Sequence, residues 1–474
     1  METTNQKIAS RTKLWYGLGA FGYGSIGQTM GSFLMFFGTA ILGVPGVLMG
    51  IAVALGTVCD ASTDPFVGHM SDKTKSKRFG KRHGFILFAC IAVAVTNLML
   101  WSISPSWSVM TKFLVLTALL LIIEAFNTCY STPYSALGLD LAKSYDERTA
   151  IQGYKTVFQF LSLLVPSILM TLFLTPTDYV TMGASVRGYQ RIALLTSTLC
   201  IICGIICFIG TYKHRTQGLP HNRVIAKSNN PPRHNAQEPG IFADFFSIMK
   251  QKNVRLLIFG YAVSLTAGAF ITSLGLHVFT YTFGFSTIEI PIIMACLIGG
   301  IIFGQPLWFF ISRKTDKVTA LMTALGVVIL AIIIFAAVLS FRNMIYANQV
   351  LPLVCFAMLL AGVGTGCLYS LPISMYADLV DLQNKKTGVD KTAKATGFLT
   401  FCTKISNALI MFLIGVSLDL VGFRGGSRVQ SMNTQNWLGW LLIAGVGIAC
   451  VTAIFIYSKY TDLSKSDLEG RQVK

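Results

Sequence analysis

Twelve long apolar segments separated by polar stretches constrain this 474-residue chain more than any other feature. A helix needs about 20 apolar residues to cross the hydrocarbon core of a bilayer, and each segment reaches that length. We therefore predict an all-α membrane protein with twelve transmembrane helices. The segments cover residues 14–41, 45–70, 84–104, 110–137, 152–175, 190–212, 254–283, 288–312, 318–341, 351–378, 396–420 and 436–458.

The distribution of charge predicts how these helices are oriented. The chain has 38 Lys and Arg against 20 Asp and Glu, a net charge of +18, although only 12% of its residues are charged. The basic residues concentrate in alternate loops, as the positive-inside rule expects of cytoplasmic loops. We therefore predict that both termini are cytoplasmic, and that the positive charge reflects membrane topology and not nucleic-acid binding.

The middle of the chain divides the twelve segments into two groups of six. Residues 213–253 are polar and rich in Pro, Asn and basic residues, which is typical of a linker. The sequence therefore predicts an N-terminal half at 1–212, a cytoplasmic linker at 213–253 and a C-terminal half at 254–474. An internal repeat supports two related halves: Pro65, Ser71, Lys73 and Thr74 recur 241 residues later as Pro306, Ser312, Lys314 and Thr315.

Two carboxylates inside the second apolar segment are the strongest candidates for function. Asp60 and Asp64 are four residues apart, so they lie one turn apart on one face of a helix. Each charge at the bilayer centre costs about 2.5–3.5 kcal/mol even on the mildest scale. Ion or proton handling is the first interpretation of such residues, and a structural ion pair is the alternative.

The chain offers no pattern for catalysis or a bound cofactor. The eleven cysteines lie almost wholly in apolar segments, where they pack as small apolar residues. We therefore expect no disulfide framework and no metal site beyond a transported cation. No nucleotide-binding loop or nucleophile constellation is apparent, so the sequence favours a protein that is not an enzyme.

Three stretches resemble the glycoside–pentoside–hexuronide:cation symporters, the melibiose permease family. They are DASTDPFVGHMSDKTKSKRFGKR, from inside the second segment into the loop that follows it, TPYSALGLDLAKSYDERT, from the end of the fourth segment into the next loop, and SMYADLVD before the eleventh segment. The resemblance spans almost the whole chain. It implies the major facilitator fold, a monomer in a cell membrane, cation-coupled uptake and alternating access of a central site to the two sides.

The resemblance also implies a cation site. Asp60, Thr63, Asp64 and Thr128 fall where the permease coordinates its coupling cation, although Thr63 replaces an Asn there. Lys404 falls where the family has a lysine near that site. Oxygen ligands of this kind suit Na⁺ or Li⁺, and we expect Lys404 to pair with the acids until Na⁺, Li⁺ or H⁺ competes with it. A permanent structural role for Lys404 is the alternative.

The expected solute site is less well defined. Gly24 and Ser131 occupy the positions of two sugar-binding aspartates of the permease, and Ser135 replaces a tryptophan. Glu124, one turn before Thr128, is a further intramembrane acid that either contacts solute, carries a proton or is hydrogen-bonded to a neighbour. Trp308 and His277 are weaker candidates. The residues predicted to bind solute or to couple it to the cation are Lys404, Glu124, Asn127, Ser131, Tyr134, Tyr23, Gln28, Tyr369 and Thr400.

Charged residues at the cytoplasmic helix ends form a separate group. We expect them to form salt bridges between helix ends that close the inner face in the outward-open state and break as the two halves rock. The alternative role of the basic residues is to set the membrane topology and to contact anionic lipid. The candidates are Asp72, Arg78, Arg82, Asp140, Glu147 and Arg148.

Together these patterns predict a cation-coupled symporter in the cell membrane, with Na⁺ favoured over H⁺, that imports a sugar, glycoside or similar small solute. A symporter for a non-sugar, such as a lysolipid or organic acid, is the first alternative. A sensor that keeps the fold without transporting is the second.

Overall fold

A computed structural model describes residues 8–74, 76, 78–141, 145–174, 182–214, 251–387, 392–427 and 429–460. Within these ranges the chain forms fourteen α-helices. The helices are α1 Ser10–Phe36, α2 Gly46–Lys73, α3 His83–Leu100, α4 Val109–Leu141, α5 Tyr145–Leu163, α6 Val165–Phe173, α7 Met182–Thr211, α8 Lys252–His277, α9 Glu289–Lys314, α10 Lys317–Phe341, α11 Ala347–Gly366, α12 Leu371–Thr387, α13 Thr392–Leu420 and α14 Met432–Tyr457.

These fourteen helices correspond to the twelve predicted segments, because two segments are each broken once. The fifth is divided at Leu164 into α5 and α6, where Pro166 opens the new helix. The tenth is divided into α11 and α12 by the 3₁₀ turn Cys367–Tyr369, just before Pro372. Proline lacks an N–H and is tolerated in the first turn of a helix, so it restarts a helix more readily than it continues one.

Eleven stretches of the described residues are long and apolar enough to cross a membrane. The remaining long helix, α1, is richer in Gly and polar residues, and it packs between α5 and α7 on one side and α8 on the other. The described helices therefore confirm the predicted all-α membrane fold of twelve spans.

The two groups of six spans repeat one arrangement. In each group the first helix ends in a π-helical turn, Phe37–Ile41 after α1 and Val278–Thr282 after α8. A glycine with a φ of 68° follows each turn, Gly43 in the first group and Gly284 in the second. Both the turns and the glycines are 241 residues apart, the same offset as the sequence repeat. Most of residues 213–253 lies outside the described residues, so the boundaries of the linker stay a prediction.

Among the described residues, the most extensive contact between the halves joins α2 of the first half to α13 of the second. The pairs α1–α8 and α6–α9 make smaller contacts. Other helices have their main contacts within their own half, for example α3 with α4 and α10 with α11. The α2–α13 pair carries both the acidic residues and Lys404, so this pair places the candidate site between the halves.

Candidate functional site

Asp60 and Asp64 of α2 share one ammonium group supplied by the opposite half. Lys404 Nζ, on α13, lies 2.7 Å from Asp60 Oδ2 and 2.5 Å from Asp64 Oδ2. The spacing of four on α2 makes this possible, because both carboxylates leave one face of the helix. The three side chains remain 19–29% exposed, so the site is partly open to water. The structure therefore brings Lys404 to both acids, as the sequence predicted.

Hydroxyl groups complete the surroundings of the two carboxylates. Thr128 of α4 is fully buried, and its Oγ1 donates to Asp60 Oδ1 at 2.7 Å. Thr63 Oγ1 lies 3.2 Å from Thr128 Oγ1 and also donates to the carbonyl of Cys59 on its own helix. The four residues predicted to hold a cation are thus gathered within one hydrogen-bonded group.

The structure adds a hydroxyl that sequence reasoning missed. Thr132 Oγ1, one turn after Thr128 on α4, donates to Asp64 Oδ1 at 3.1 Å. Each acid therefore accepts from one α4 threonine and from Lys404. The spacing was visible in the sequence, since two threonines four residues apart match two aspartates four residues apart on a neighbouring helix.

The chemistry of this group suits a small monovalent cation. Carboxylate and hydroxyl oxygens are the ligands that hard cations prefer. Two carboxylates this close repel one another unless a positive charge or a proton intervenes. Lys404 supplies one positive charge, and a monovalent cation that replaced it would leave the local charge balance at the carboxylates unchanged.

Glu124 and Asn127 lie beside this group and line a cavity between the halves. Glu124 and Asn127 are three residues apart on α4, so they lie on the same side of the helix. The cavity has a volume of about 170 Å³ and includes Ser273 and Asn407 from the second half. Asn407 was not predicted, although it lies three residues after Lys404 and so on the same side of α13.

Two further cavities extend from this region. One of about 90 Å³ and one of about 420 Å³ both include Gln28 of α1 and Tyr369, two of the residues predicted to bind solute or couple it to the cation. Tyr369 is half exposed. The smaller cavity is mainly apolar, with Phe33, Met170 and other hydrophobic side chains in its wall. Gln28 of the first half and Tyr369 of the second therefore line the same two cavities beside α1.

Several predicted solute residues lie outside the walls of these three cavities. Tyr134 is buried, stacks on Tyr16 and donates to the Tyr16 carbonyl at 2.7 Å, so it joins α1 to α4. Tyr23 packs at its edge, with a ring-centroid distance of 5.7 Å. Ser131 is half-buried, and Thr400 is exposed and donates within α13. The structure therefore does not bring these four residues to the cavities.

The two weaker candidates have contacts that are structural. Trp308 is buried and donates from Nε1 to the Val363 carbonyl at 2.7 Å, which joins α9 to α11. His277 is fully buried, with Nε2 2.8 Å from Thr39 Oγ1. Neither residue lines the three cavities described above.

The ion pairs found at the cytoplasmic helix ends of the first half join neighbouring helices. Arg82 lies 2.5 Å from Asp72 and 3.3 Å from Asp140. Glu147 lies 2.9 Å from Lys13, a partner that was not predicted. All these residues belong to the first half, so the pairs join helices within one half and do not bridge the two halves in this structure.

The other two members of that predicted group behave differently. Arg78 is exposed, with its guanidinium over the Phe79 ring at 5.3 Å from the ring centroid. The Arg148 side chain lies outside the described residues. The second half has its own inner pair, formed by Lys317 and Asp378 of the SMYADLVD stretch.

Comparisons with known proteins define the class. The structure is similar to that of a bacterial homologue of the human lysosomal transporter Spinster, with a TM-score of 0.66 at 13% identity, covering 97% of each chain. It is also similar to a D-xylose–proton symporter, with a TM-score of 0.64 at 12% identity, covering 96% of this chain and 99% of that one. At this identity the likeness establishes the fold, which is that of the major facilitator transporters.

The sequence comparisons establish the family. Residues 15–462 match the family described as MFS/sugar transport protein, and the chain belongs to it.

Curated relatives include an uncharacterized symporter of Synechocystis, 23% identical over 88% of this chain and 87% of the relative. The sodium-dependent lysophosphatidylcholine symporter 1 of Xenopus tropicalis is 22% identical over 96% and 87%, respectively. The isoprimeverose transporter of Lactiplantibacillus pentosus is 22% identical over 97% and 91%, respectively. The predicted family is therefore confirmed, and its members here are transporters.

Proposed function

We propose that this protein is a cation-coupled symporter that imports a small organic solute by alternating access, with Na⁺ favoured over H⁺. The observation that carries the proposal is the shared ammonium: Lys404 of one half sits against Asp60 and Asp64 of the other. A cation that bound these carboxylates would displace Lys404 and so remove a bond between the halves. Binding would thereby change the balance between the two states of the transporter.

The rest of the proposed activity follows from the family. The relatives named above are transporters, and transport by alternating access needs no covalent chemistry and no cofactor. We place the protein in the cell membrane as a monomer, with the coupling cation and the solute as its ligands. One relative is sodium-dependent by name, which favours Na⁺ as the first cation to test.

The first candidate for the solute is a sugar, glycoside or similar polar molecule. Gly24 has no side chain where the melibiose permease has a sugar-binding aspartate, which argues against a galactoside held in that way. A Cβ at Gly24 would lie 2.8 Å from Ser162 Oγ, so a side chain at this position needs at least a new rotamer of Ser162. Recognition would rest instead on groups such as Asn127, Gln28 and Tyr369.

An amphipathic solute, such as a lysolipid, is the second candidate. The mainly apolar wall of the smaller cavity favours it, since hydroxyl-rich solutes gain little from Phe33, Met170 or Leu276. One curated relative carries lysophosphatidylcholine by name. The two candidates differ in the ligand that should stabilise the purified protein.

Thermal unfolding of the purified protein tests the cation site first. We would measure the melting temperature in Na⁺, Li⁺ and K⁺ at constant ionic strength, and again across pH. A ligand that binds only the folded state adds about 2.7 kcal/mol at 100 times its Kd. We expect Na⁺ or Li⁺ to stabilise the protein and the Asp64→Asn variant to lose that response.

A matched variant controls for the general effect of removing an ion pair. Asp378→Asn also removes a carboxylate from a lysine, but at the inner end of the second half. It should keep the Na⁺ response. A protein that responded steeply to pH and not to Na⁺ would indicate proton coupling, and one that responded to neither would contradict the symporter proposal. Sugars and lysophosphatidylcholine, each added in the effective cation, then separate the two solute candidates.

A further inference from the structure

The N-terminus of α2 is capped by a residue of the opposite half. No neighbouring side chain caps this end, since Pro45 stands at the N-cap position and makes no side-chain hydrogen bond there. The backbone N–H groups of Gly46 and Val47 instead donate to the two carboxylate oxygens of Asp419, each at 2.7 Å. Asp419 lies near the end of α13, so both bonds cross from the first half to the second.

The two backbones are in direct contact at this end. A Cβ on Gly46 would lie 2.3 Å from the Gly415 carbonyl oxygen, and a Cβ on Gly50 would lie 3.0 Å from Phe412 Cα. Towards the other end of α13, a Cβ on Gly397 would meet nothing within 4 Å. The closest approach of α2 and α13 is therefore at the end that the charge pattern assigns to the outer side.

Two further hydrogen bonds cross between the halves at the same end. Thr39 Oγ1 lies 2.8 Å from His277 Nε2, and Gly426 N donates to the Ala40 carbonyl at 3.1 Å. The ion pairs described at the opposite end each stay within one half. The structure is thus of a state closed at the outer end, and Asp419 supplies the charged group of that closure.

We propose that Asp419 is a positioning residue for alternating access, whose carboxylate caps α2 only while the outer end is closed. A carboxylate is stabilised at a helix N-terminus by the free N–H groups and by the helix dipole. When the halves part at this end, the cap is lost and both groups return to water. Asp419 therefore stabilises the outer-closed state specifically, and it does so on the same two helices that carry Asp60, Asp64 and Lys404.

Distances between spin labels on the full-length protein test this proposal without any solute or cation. One label at Ser106→Cys and one at Met344→Cys report the outer end, because both residues are exposed in outer loops of different halves. An N-cap contributes about 0.5–2 kcal/mol, so Asp419→Ala should raise the population with the outer end open by roughly 2- to 30-fold. Asp419→Asn keeps one acceptor and should give a smaller rise. The parent protein without the reporters corrects for its eleven natural cysteines.

Ser431→Ala is the matched control. Ser431 caps α14 at the same end of the protein, with its Oγ accepting from Thr434 N at 3.1 Å, but both residues belong to the second half. Its loss should lower the melting temperature without changing the distance distribution. An unchanged distribution in both folded Asp419 variants would overturn the proposal, as would an equal change in Ser431→Ala. If Asp419→Ala does not fold, Asp419→Asn alone decides the question. Because the readout needs no ligand, this result is independent of whether Na⁺ binds.

Discussion

Lys404 and Asp64 are 340 positions apart in the chain, yet the ammonium nitrogen of one lies 2.5 Å from a carboxylate oxygen of the other. The contact joins α13 of the second half to α2 of the first, beside the most extensive contact between the halves. A charge pair in this place does two things at once. It neutralises a costly intramembrane acid, and it ties the halves together at the level of the cavities.

Replacing Lys404 by Ala should separate these two effects. Breaking a buried ion pair costs about 3–5 kcal/mol, and we expect about 2 kcal/mol here because the side chains are partly exposed. The melting temperature without Na⁺ should therefore fall. In Na⁺ the loss should be largely recovered, since the competitor for the carboxylates is gone.

Lys317→Ala serves as the control, because it removes a lysine from Asp378 at the inner end. Its loss of stability should not be recovered by Na⁺. Equal Na⁺ responses in the parent protein, Lys404→Ala and Lys317→Ala would mean that Lys404 is only a permanent structural partner.

Thr128→Val should weaken the cation response without removing a charge. The Thr128 hydroxyl is fully buried and donates to Asp60, so its loss leaves the carboxylate with one fewer hydrogen-bond partner. We expect the free energy of unfolding to fall by about 1–3 kcal/mol. We expect a lower melting temperature and a weaker apparent affinity for Na⁺ in a titration followed by thermal unfolding. Thr128→Ser should restore both. Thr323→Val, at an exposed threonine that bonds only within α10, should change neither.

Gly415→Ala tests the outer closure by a route that involves no charge. The added Cβ would lie 2.1 Å from the Gly46 carbonyl oxygen, a backbone atom that cannot rotate away. Overpacking of this kind costs about 1–3 kcal/mol, and here the cost falls only on the state in which α2 and α13 touch. The label pair at positions 106 and 344 should therefore report a longer distance.

Gly397→Ala makes the same chemical change on the same helix, where a Cβ meets nothing within 4 Å. It should leave the distance unchanged. A longer distance in both variants would point to a general effect of alanine on α13 rather than to closure at the outer end.

Arg82→Ala should lower stability and leave the conformational balance unchanged. Arg82 bonds to Asp72, Asp140 and Ser71, all in the first half. Each hydrogen bond to a charged group contributes about 1.5–3 kcal/mol when it is buried. Because Asp72 is well exposed, we expect the free energy of unfolding to fall by only about 1–2 kcal/mol. Arg78→Ala, four residues earlier and exposed, should have little effect. A shift of the outer label distances in Arg82→Ala would show that the pair does act between the halves.

Sequence reasoning succeeded where a residue was unusual for its surroundings. Asp60, Asp64 and Lys404 stand out because a charge is costly in an apolar segment, and they are the groups that the structure joins. Thr132 and Asn407 did not stand out, since neutral polar residues are common in membrane helices. Their relevance depends on which helices face one another, and hydropathy does not contain that information.

The charged residues at the inner end show the same limit of sequence reasoning. The sequence marked Arg82, Asp140 and Glu147 as charged helix ends, but their partners are decided by the packing of α1 to α5. Asp419 was overlooked for a related reason. A carboxylate near the end of a helix is ordinary by itself, and its role depends on a helix start 373 positions away.

The paired turns after α1 and α8 have a consequence for genetics. Gly43 and Gly284 both hold a φ of 68°, which most other residues adopt only at a cost of about 1–2 kcal/mol. In a library of every single substitution, both positions should tolerate few replacements, as should the other glycines with positive φ, Gly80, Gly422 and Gly426. The intolerance shared by Gly43 and Gly284 would then mark the same turn in both halves, even where the chemistry of the halves has diverged, as at Asp64 and Gln305.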